Sequence, residues 1–295
     1  MLASFIKSLL YLFSLLSLPN AHRLGSWIGW WLAVTPNQAR RISKINIGLC
    51  FPNLSATDQQ QLLEHSLIES AKAVTETGAL WRWDAGRVLA LVRRVSGEAY
   101  YREANAHGKG VIIIAPHLGA WEMVGLYCAA QYPMVSLYRP PRLKALETMI
   151  CHARQRSGAK LVPTNAYGVK TLFRTLAAGK QVGILPDQDA REDGGIFAPF
   201  FGVPASTMVL LSRLAAKTGA TLLFCYAERL PNGEGYYMHF VPAPAGIDDS
   251  NLEHATTQLN LGVEQCVRQH PEQYQWSYKR FRSRPPGETR LYGRS

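Results

Sequence analysis

The distribution of apolar residues from position 111 onward predicts alternating strands and helices. Short apolar runs that fit buried strands are separated by longer stretches with helical spacing, and such alternation is typical of a mostly parallel sheet with helices on its faces. The predicted strands are Val111–Ala115, Val135–Tyr138, Lys160–Val162, Val182–Leu185 and Leu222–Tyr226, and the predicted helices lie near 119–131, 142–157, 169–178, 206–217 and 250–269. A Pro-Asn-Gly turn signal predicts that 236–241 pairs with the Leu222 strand as a hairpin, so the sheet is expected to be mixed.

Two helices are predicted before this alternation begins. Apolar residues at helical spacing mark 36–50, and a Phe-Pro-Asn break ends the pattern. Ser55 or Thr57 is placed to cap a long helix that runs to about Trp83. Because no linker, low-complexity tract or repeat interrupts the remaining chain, residues 35–295 are predicted to form a single α/β domain.

The first 34 residues form an apolar segment in which Lys7 and Arg23 are the only formally charged side chains. As a helix, Leu2–Leu18 would be about 25 Å long, against a hydrocarbon core of roughly 30 Å. Residues 1–34 are therefore predicted to be an N-terminal membrane-anchoring segment that either spans marginally or lies tilted in the interface. Three of the seven tryptophans follow within five residues of one another, which favours a segment that reaches the interface.

Two other interpretations of the N-terminal segment are weaker. A cleaved signal peptide needs a small-x-small pattern after the apolar run, and positions 18–22 read LPNAH instead. A buried helix of the soluble domain stays open because the run is shorter than a full span. The basic residues Arg40, Arg41 and Lys44 come next, and they favour a cytoplasmic location for the rest of the chain.

Composition indicates a folded protein with an anionic partner. The 295 residues are 47% hydrophobic and 18% charged, which excludes an intrinsically disordered chain. The formal net charge of +11 leaves nucleic acid, an acidic membrane surface, a phosphorylated substrate and an acidic protein as candidate partners. The five cysteines are odd in number and contain no C-x-x-C pair, which argues against a disulfide framework or a zinc site and favours reduced thiols in the cytoplasm.

Candidate chemistry begins where the first predicted strand ends, in the sequence A-P-H-L-G-A-W-E. His117 and Glu122 would lie about 140° apart on one helix, so they can cooperate only if His117 precedes the helix, where the Pro and Gly place it. There His117 is predicted to act as a general base while Glu122 holds its other ring nitrogen. The absence of a G-x-S-x-G motif favours direct transfer to an acceptor hydroxyl without an acyl-enzyme. By itself, this spacing is more often that of a structural histidine.

The next predicted strand ends in Y-R-P-P-R, which opens a strongly basic stretch. Nine Lys or Arg residues and a single acid, Glu147, lie between Arg139 and Lys180. Because ligands of open α/β sheets bind at the carboxyl ends of the strands, this excess of positive charge predicts recognition of a phosphate or phosphopantetheine group. The alternative is a solvated helix face.

Polar residues also follow a third predicted strand, and an aromatic pair comes shortly after them. The carboxylates and the amide can form hydrogen bonds to sugar hydroxyls or to Arg139, and the aromatic pair with its glycine can shape an apolar groove for a chain. The substrate-binding residues predicted in this region are Asp187, Gln188, Asp189, Phe200, Phe201 and Gly202. No metal site is predicted, since these acids lack a histidine cluster and no H-E-x-x-H occurs.

Near the C-terminus, residues 271–284 interleave aromatic side chains with arginines. Such a pattern fits stacking on nucleic-acid bases or contact with lipid headgroups. The apolar N-terminus favours the lipid interpretation.

Together these motifs resemble the lipid A biosynthesis acyltransferases, the lauroyl and myristoyl transferases within the lysophospholipid acyltransferase superfamily. The resemblance is carried, in family order, by NIGLCFP at 46–52, HLGAWE at 117–122, YRP at 138–140, Arg154 and Gly158, LPDQD at 185–189, PFFGVPAST at 199–207 and PEQYQWSYKRF at 271–281. It covers nearly the whole chain after the N-terminal segment, and the combination is far more specific than any single motif.

The resemblance implies an acyltransferase-like α/β fold and transfer of a fatty acyl group from acyl carrier protein to a hydroxyl of a lipid A precursor, at the cytoplasmic face of the Gram-negative inner membrane. It implies that His117 and Glu122 are the catalytic dyad, that Arg139 and Arg154 bind substrate, and that the LPDQD residues belong to the acceptor pocket. No cofactor is expected. The expected partners are acyl carrier protein, the phosphorylated glycolipid acceptor and inner-membrane lipids, and not nucleic acid.

Two alternatives stay open. Relatives with the same motifs acylate other lipids, so the acceptor could be an aminolipid, a glycolipid or an aryl-polyene-type lipid. A non-catalytic, membrane-associated binding protein would explain the charge and the apolar N-terminus, but it leaves the three polar strand ends without a purpose.

Overall fold

The computed structural model describes residues 1–141, 143–190 and 194–293, so Arg142 of the predicted basic stretch lies outside the described residues. The helices are α1 (Leu2–Ser14), α2 (Leu18–Val34), α3 (Gln38–Cys50), α4 (Ala56–Arg82), α5 (Ala85–Leu89), α6 (Glu98–Ala106), α7 (Trp121–Gln131), α8 (Glu147–Gln155), α9 (Ala166–Ala177), α10 (Leu210–Thr218) and α11 (Leu252–Gln269). The strands are β1 (Val92–Ser96), β2 (Val111–Ile114), β3 (Met134–Tyr138), β4 (Lys160–Pro163), β5 (Gln181–Ile184), β6 (Gly195–Phe200), β7 (Val203–Met208), β8 (Thr221–Arg229) and β9 (Tyr236–Pro242).

Seven of the described strands form one sheet in the order β1-β9-β8-β2-β5-β3-β4. Its neighbours are parallel except for the antiparallel pair β8–β9, so the predicted mostly parallel, mixed sheet and its terminal hairpin are confirmed. The sequence pattern did not predict β1 or the separate antiparallel hairpin β6–β7.

Strand β2 lies between β5 and β8 and is parallel to both. All four of its side chains are buried. Because side chains alternate along a strand, Ile112 and Ile114 belong to one core layer and Val111 and Ile113 to the other. Burying each such side chain stabilises the fold by roughly 1.5–3 kcal/mol. The carboxyl end of β2 is thereby fixed beside the carboxyl ends of its two neighbours.

The apolar N-terminal run is divided into two helices, which corrects the expectation of one membrane-anchoring helix over Leu2–Leu18. Helix α1 ends at Ser14, and α2 starts at Leu18, where the Ser17 hydroxyl accepts a hydrogen bond from the Asn20 backbone N–H and Pro19 occupies the first turn. Among the described residues, no helix combines the length and the apolar character that crossing a membrane requires.

One face of the N-terminal helices packs on α4, where the backbones of α2 and α4 approach closely. A Cβ added to Gly29 would lie 2.3 Å from the Ile68 Cα. The opposite face leaves large apolar side chains exposed to solvent, so a fully buried helix pair is excluded as well. These exposed side chains, called here the N-terminal apolar face, are Leu2, Phe5, Leu12, Leu15, Trp27, Trp30, Trp31 and Val34.

Candidate active site

A cavity of about 870 Å³ opens at the carboxyl ends of the central strands. Six of the residues predicted from the sequence line it together, although they come from four separate segments of the chain. They are His117, Glu122, Arg139, Arg154, Gln188 and Asp189.

The loop that carries His117 follows β2 and is fixed by backbone hydrogen bonds. The Gly119 N–H donates to the Gln273 carbonyl at 3.0 Å, and the Ala120 N–H donates to the Ala227 carbonyl at 2.8 Å. Gly119 has a φ of +60°, and a Cβ there would lie 2.0 Å from the Ala227 carbonyl oxygen, so only glycine fits. His117 therefore precedes α7, as its sequence neighbours predicted.

His117 is held by Asp187, which follows β5. One carboxylate oxygen of Asp187 accepts a hydrogen bond from the His117 backbone N–H, and the other lies 2.8 Å from Nδ1 of the ring. Burial by itself would raise the pKa of the Asp187 carboxyl, but the His117 contacts outweigh it and hold the pKa below its usual range. With an ionised partner, Nδ1 carries the proton and Nε2 keeps a lone pair. The Gln188 side-chain nitrogen lies 3.2 Å from that Nε2.

Glu122 does not contact either ring nitrogen of His117, so the predicted hydrogen bond between these two residues is wrong. It lies in the first turn of α7 and forms a bidentate ion pair with Arg154 of α8, with N···O distances of 3.0 and 2.5 Å. Burial would raise the pKa of Glu122, but the Arg154 guanidinium reverses the shift and holds the carboxyl ionised. The role of Glu122 in a catalytic dyad stays a prediction, and its contact in the structure is with Arg154.

The cavity has a positively charged side. Arg139, at the end of β3, and Arg154 line it as predicted, and α10 adds Arg213 and Lys217, which the sequence analysis missed. Other cations of the predicted basic stretch lie on exposed surface, namely Lys144, Lys160, Lys170, Arg174 and Lys180. The stretch thus contributes to the cavity in part and to a solvated surface in part.

The rest of the cavity wall is apolar. Its side chains come from β2, β3, β4, α7, α9 and the end of β7, and they include Ile113, Val124, Leu126, Met134, Leu161, Val169, Phe173 and Met208. Gly183 of β5 leaves room for Met134, because a Cβ there would lie 2.2 Å from the Met134 Cε. A pocket that combines an apolar wall with a few convergent polar groups is suited to an amphipathic ligand.

The predicted apolar groove of Phe200, Phe201 and Gly202 is wrong. These residues form the turn of the β6–β7 hairpin, where Phe201 has a φ of +50° and Gly202 a φ of +76°. Both aromatic rings point into the core, with the Phe201 ring tilted against Phe51 at a centroid distance of 5.0 Å and Phe200 buried against Phe281. Turn geometry and core packing explain this motif, and none of the three residues lines the cavity.

Besides lining the cavity, Asp189 contacts the C-terminal segment, which the sequence did not predict. Its carboxylate accepts hydrogen bonds from the backbone N–H and the hydroxyl of Ser283, at 3.1 and 3.0 Å. The nearby Tyr274, Trp276, Arg280 and Phe281 are buried. The interpretation of 271–284 as a lipid or nucleic-acid surface is therefore wrong for these side chains, which pack the C-terminal segment against the site.

A buried ion-pair network behind the His117 loop was also missed. Arg229, at the end of β8, donates hydrogen bonds to the Glu76 carboxylate at 2.7 and 2.9 Å and to the Gly119 carbonyl at 2.8 Å. Glu76 also contacts His22 and accepts a hydrogen bond from Tyr236. This network joins α2, which carries His22, and α4, which carries Glu76, to the His117 loop.

Comparison with known proteins agrees with the motif pattern. The family model described as bacterial lipid A biosynthesis acyltransferase matches residues 1–283. The chain is 30% identical to the lipid A biosynthesis palmitoleoyltransferase of Escherichia coli K12 over 287 residues, which cover 96% of this chain and 92% of that protein. It is 27% identical to the lauroyltransferase of the same strain over 284 residues, with the same coverage of 96% and 92%. The myristoyltransferase is 24% identical over 284 residues, covering 94% and 84%.

Proposed function

The chain belongs to the bacterial lipid A biosynthesis acyltransferase family, and on that premise we propose that it transfers a fatty acyl group from an acyl carrier protein thioester to a hydroxyl of a lipid A precursor. The observation that supports this proposal best is the placement of His117. Its Nδ1 is paired with an ionised carboxylate, and its Nε2 lies at the wall of a cavity lined by many apolar side chains and by four cationic ones.

In the proposed reaction, Nε2 of His117 removes the proton from the acceptor hydroxyl as the oxygen attacks the thioester carbonyl. Asp187 keeps the ring in the required tautomer and stabilises the imidazolium that forms. The tetrahedral intermediate then breaks its C–S bond, and the imidazolium returns the proton to the departing thiolate. The products are an ester and a free carrier thiol, and no acyl-enzyme is formed.

The cationic side of the cavity fits the charges of both substrates. We assign Arg139, Arg213 and Lys217 to the phosphate groups of the acceptor or of the phosphopantetheine arm, because guanidinium and ammonium groups bind phosphate oxygens with charge-assisted hydrogen bonds. Glu122 fixes the guanidinium plane of Arg154 at the wall. The apolar wall is assigned to the acyl chain.

The proposed location is the cytoplasmic face of the inner membrane. The N-terminal apolar face exposes three indole rings and several aliphatic side chains on neighbouring helices, and indoles prefer the interface between lipid and water. We propose that this face enters one leaflet and holds the cavity near the lipid substrate. Acyl carrier protein is the proposed soluble partner, since an acidic protein complements a chain with a formal net charge of +11, and no cofactor is required.

A reconstitution experiment tests the proposal. The purified full-length protein is incubated with an acyl carrier protein thioester and an under-acylated lipid A precursor, and the product is identified by mass spectrometry. A mass increase of one acyl group is expected, with a much lower rate when acyl-coenzyme A replaces the carrier thioester. His107 is exposed, so His107→Ala is the matched control for variants of His117, and it is expected to keep parental activity.

Mass spectrometry of lipid A from a strain that lacks the gene tests the acceptor independently. Loss of one acyl group from the parental species is the expected result. Unchanged lipid A together with a change in another lipid class would contradict the proposed acceptor while leaving the acyl-transfer chemistry in place.

A further inference from the structure

Away from the cavity, two histidines and a glutamate converge at the edge where β8, β9 and the end of α11 meet. Glu228 is the penultimate residue of β8, His239 lies in the middle of β9, and His270 follows the last turn of α11. One nitrogen of each ring and one carboxylate oxygen all lie within 4.8 Å of one another. Their side chains are 19%, 15% and 23% exposed, so an ion from solvent can reach them.

We propose that Glu228, His239 and His270 form a binding site for a divalent transition-metal ion, with Zn²⁺ as the best match. Two imidazoles and one carboxylate are a recurrent ligand set for zinc, with bonds of about 2.0–2.2 Å, so that ligand atoms of a tetrahedral ion lie roughly 3.3 Å apart. The Glu228 oxygen lies 2.9 Å from His239 Nε2 and 3.4 Å from His270 Nε2. The second separation matches that spacing. The first is a hydrogen bond, which an ion between the two groups would replace, and no two of the three ligand atoms lie more than 4.8 Å apart.

The surroundings of His239 are those of a metal ligand. Its second nitrogen, Nδ1, lies 3.0 Å from the Ser96 hydroxyl of β1, an outer-shell contact that orients the ring with Nε2 towards Glu228. The ring is stacked on Tyr226 at 4.6 Å with an interplanar angle of 12°.

The side-chain contacts of His270 are longer than those of His239, so its ring can rotate to bind an ion. Its Nε2 lies 3.4 Å from Glu228, and its other nitrogen, Nδ1, lies 3.9 Å from the Glu272 carboxylate, which is beyond hydrogen-bond distance. In the proposed site, a rotation of the His270 side chain about its χ angles brings Nε2 to bonding distance from the ion. The sequence could not reveal the cluster, because its members lie far apart in the chain and follow no metal-binding motif.

An ion at this position would stabilise the C-terminal segment that contacts the active-site loop. Directly after His270, the Gln273 carbonyl accepts the hydrogen bond from Gly119, and the Gln275 N–H donates to the His117 carbonyl at 3.1 Å. The site is distinct from the catalytic cavity, since none of its three residues lines it. The proposal is thus one of structural support, and it stands whether or not the proposed acyl transfer is correct.

Metal binding is tested on the full-length protein after treatment with a chelator. Zinc titrated against a chromophoric chelator is expected to bind with a stoichiometry of one ion per chain, and Co²⁺ is expected to give the intense visible absorption of a tetrahedral site. His239→Ala and His270→Ala are expected to weaken zinc binding by more than about 100-fold, and Ser96→Ala by about 10–100-fold. The exposed histidines give the matched controls His65→Ala and His107→Ala, which are expected to bind as the parent does.

A second readout separates loss of the site from loss of folding. Zinc is expected to raise the Tm of the parent by about 3–8 °C and to slow amide exchange over residues 270–275, with neither effect in His270→Gln. Absence of bound zinc in the parent, or the same stoichiometry in the parent and in His239→Ala/His270→Ala, would overturn the proposal. The latter result would place the ion elsewhere, for example at His117 and Asp187.

Discussion

Two histidine–carboxylate pairs in this molecule have almost the same geometry but different surroundings. His117 lies 2.8 Å from Asp187, and His22 lies 2.9 Å from Glu76. The second nitrogen of His117 faces Gln188 at the wall of the cavity. The carboxylate of the other pair is instead enclosed by Arg229 and Tyr236 in the core. The pairs differ in the carboxylate and in the ring nitrogen that it contacts, Nδ1 in His117 and Nε2 in His22. Of the two histidines, His117 lines the cavity, so position beside the cavity, and not the ion-pair distance, is the basis for proposing chemistry at His117.

The largest expected effect comes from changing the cavity pair. In His117→Asn, the side-chain amide N–H still reaches Asp187, but no nitrogen base remains at the Nε2 position. We expect turnover to fall by about 10²–10⁴-fold, while the free energy of unfolding stays within about 1 kcal/mol of the parent. Acyl-transfer rates and urea unfolding measure the two quantities.

The matched variant of the core pair is His22→Gln, in which the amide N–H replaces the Nε2 contact with Glu76. In contrast to His117→Asn, this variant is expected to keep parental turnover and to have a free energy of unfolding about 1–2 kcal/mol lower than that of the parent. Near-parental turnover in His117→Asn would contradict the assignment of the base.

The next largest effect is expected from the core network itself. Arg229→Met leaves the buried Glu76 carboxylate without its guanidinium, and breaking a buried pair in this way costs about 3–5 kcal/mol. The surface pair Arg268–Glu264 is the control, since Arg268 is 53% exposed at 3.8 Å from its partner. Arg268→Met is expected to cost about 1 kcal/mol or less.

A double variant tests the reason for that loss. If the cost arises from an uncompensated buried charge, Arg229→Met/Glu76→Gln should be more stable than Arg229→Met alone. Additive losses in the double variant would show instead that the contacts to the Gly119 carbonyl and the surrounding packing dominate.

The sequence predicted most of the sheet because its strands are apolar runs with distinct ends. It failed for β1, in which two consecutive arginines interrupt the apolar pattern, and for β6–β7, a hairpin whose turn places Phe201 at a positive φ. It also treated Leu2–Leu18 as continuous, although Ser17 caps a new helix there. Local composition reports burial, but it does not report where a cap or a turn divides a run.

The sequence predicted most of the residues that line the cavity, but it did not predict which of them contact one another. The order of the strands decides which carboxylate meets His117, and parallel strands take their neighbours from distant parts of the chain. Because β5 and β8 are the two neighbours of β2, Asp187 and Arg229 reach the His117 loop. Glu122, although only five residues away in sequence, lies on α7 and faces Arg154 of α8 instead.

The core pair should also make stability depend on pH. Burial alone would raise the pKa of Glu76, but Arg229 and His22 outweigh it and lower the pKa from 4.5 to about 2. The folded carboxyl therefore binds fewer protons than the unfolded one, so its contribution is complete above pH 4.5 and is lost as the pH falls towards 2. The stability advantage of the parent over Glu76→Gln should stay constant above about pH 5 and decrease by about 1.4 kcal/mol per pH unit below its ordinary pKa.

Denaturant unfolding of both proteins across this range measures the difference, and titrations shared by the two chains cancel. The groups that face Glu76 are His22, Arg229 and Tyr236. A difference that does not change across this range would mean that the Glu76 carboxyl has the same pKa in the folded and the unfolded protein.

The smallest effect is expected at the second pair of the cavity, Glu122 with Arg154. Glu122→Gln keeps one acceptor for the guanidinium but removes the charge and turns an N–H towards Arg154, so kcat/KM should fall about tenfold, which corresponds to about 1.4 kcal/mol. Glu288→Gln, in the exposed pair with Arg284, is the control and should have no effect on activity. If Glu122 acts only by positioning Arg154, the pH dependence of kcat/KM should keep the parental shape, because the proposed base is His117. A loss as large as that of His117→Asn, with an altered pH profile, would contradict this separation and would require Glu122 to approach His117 during the reaction.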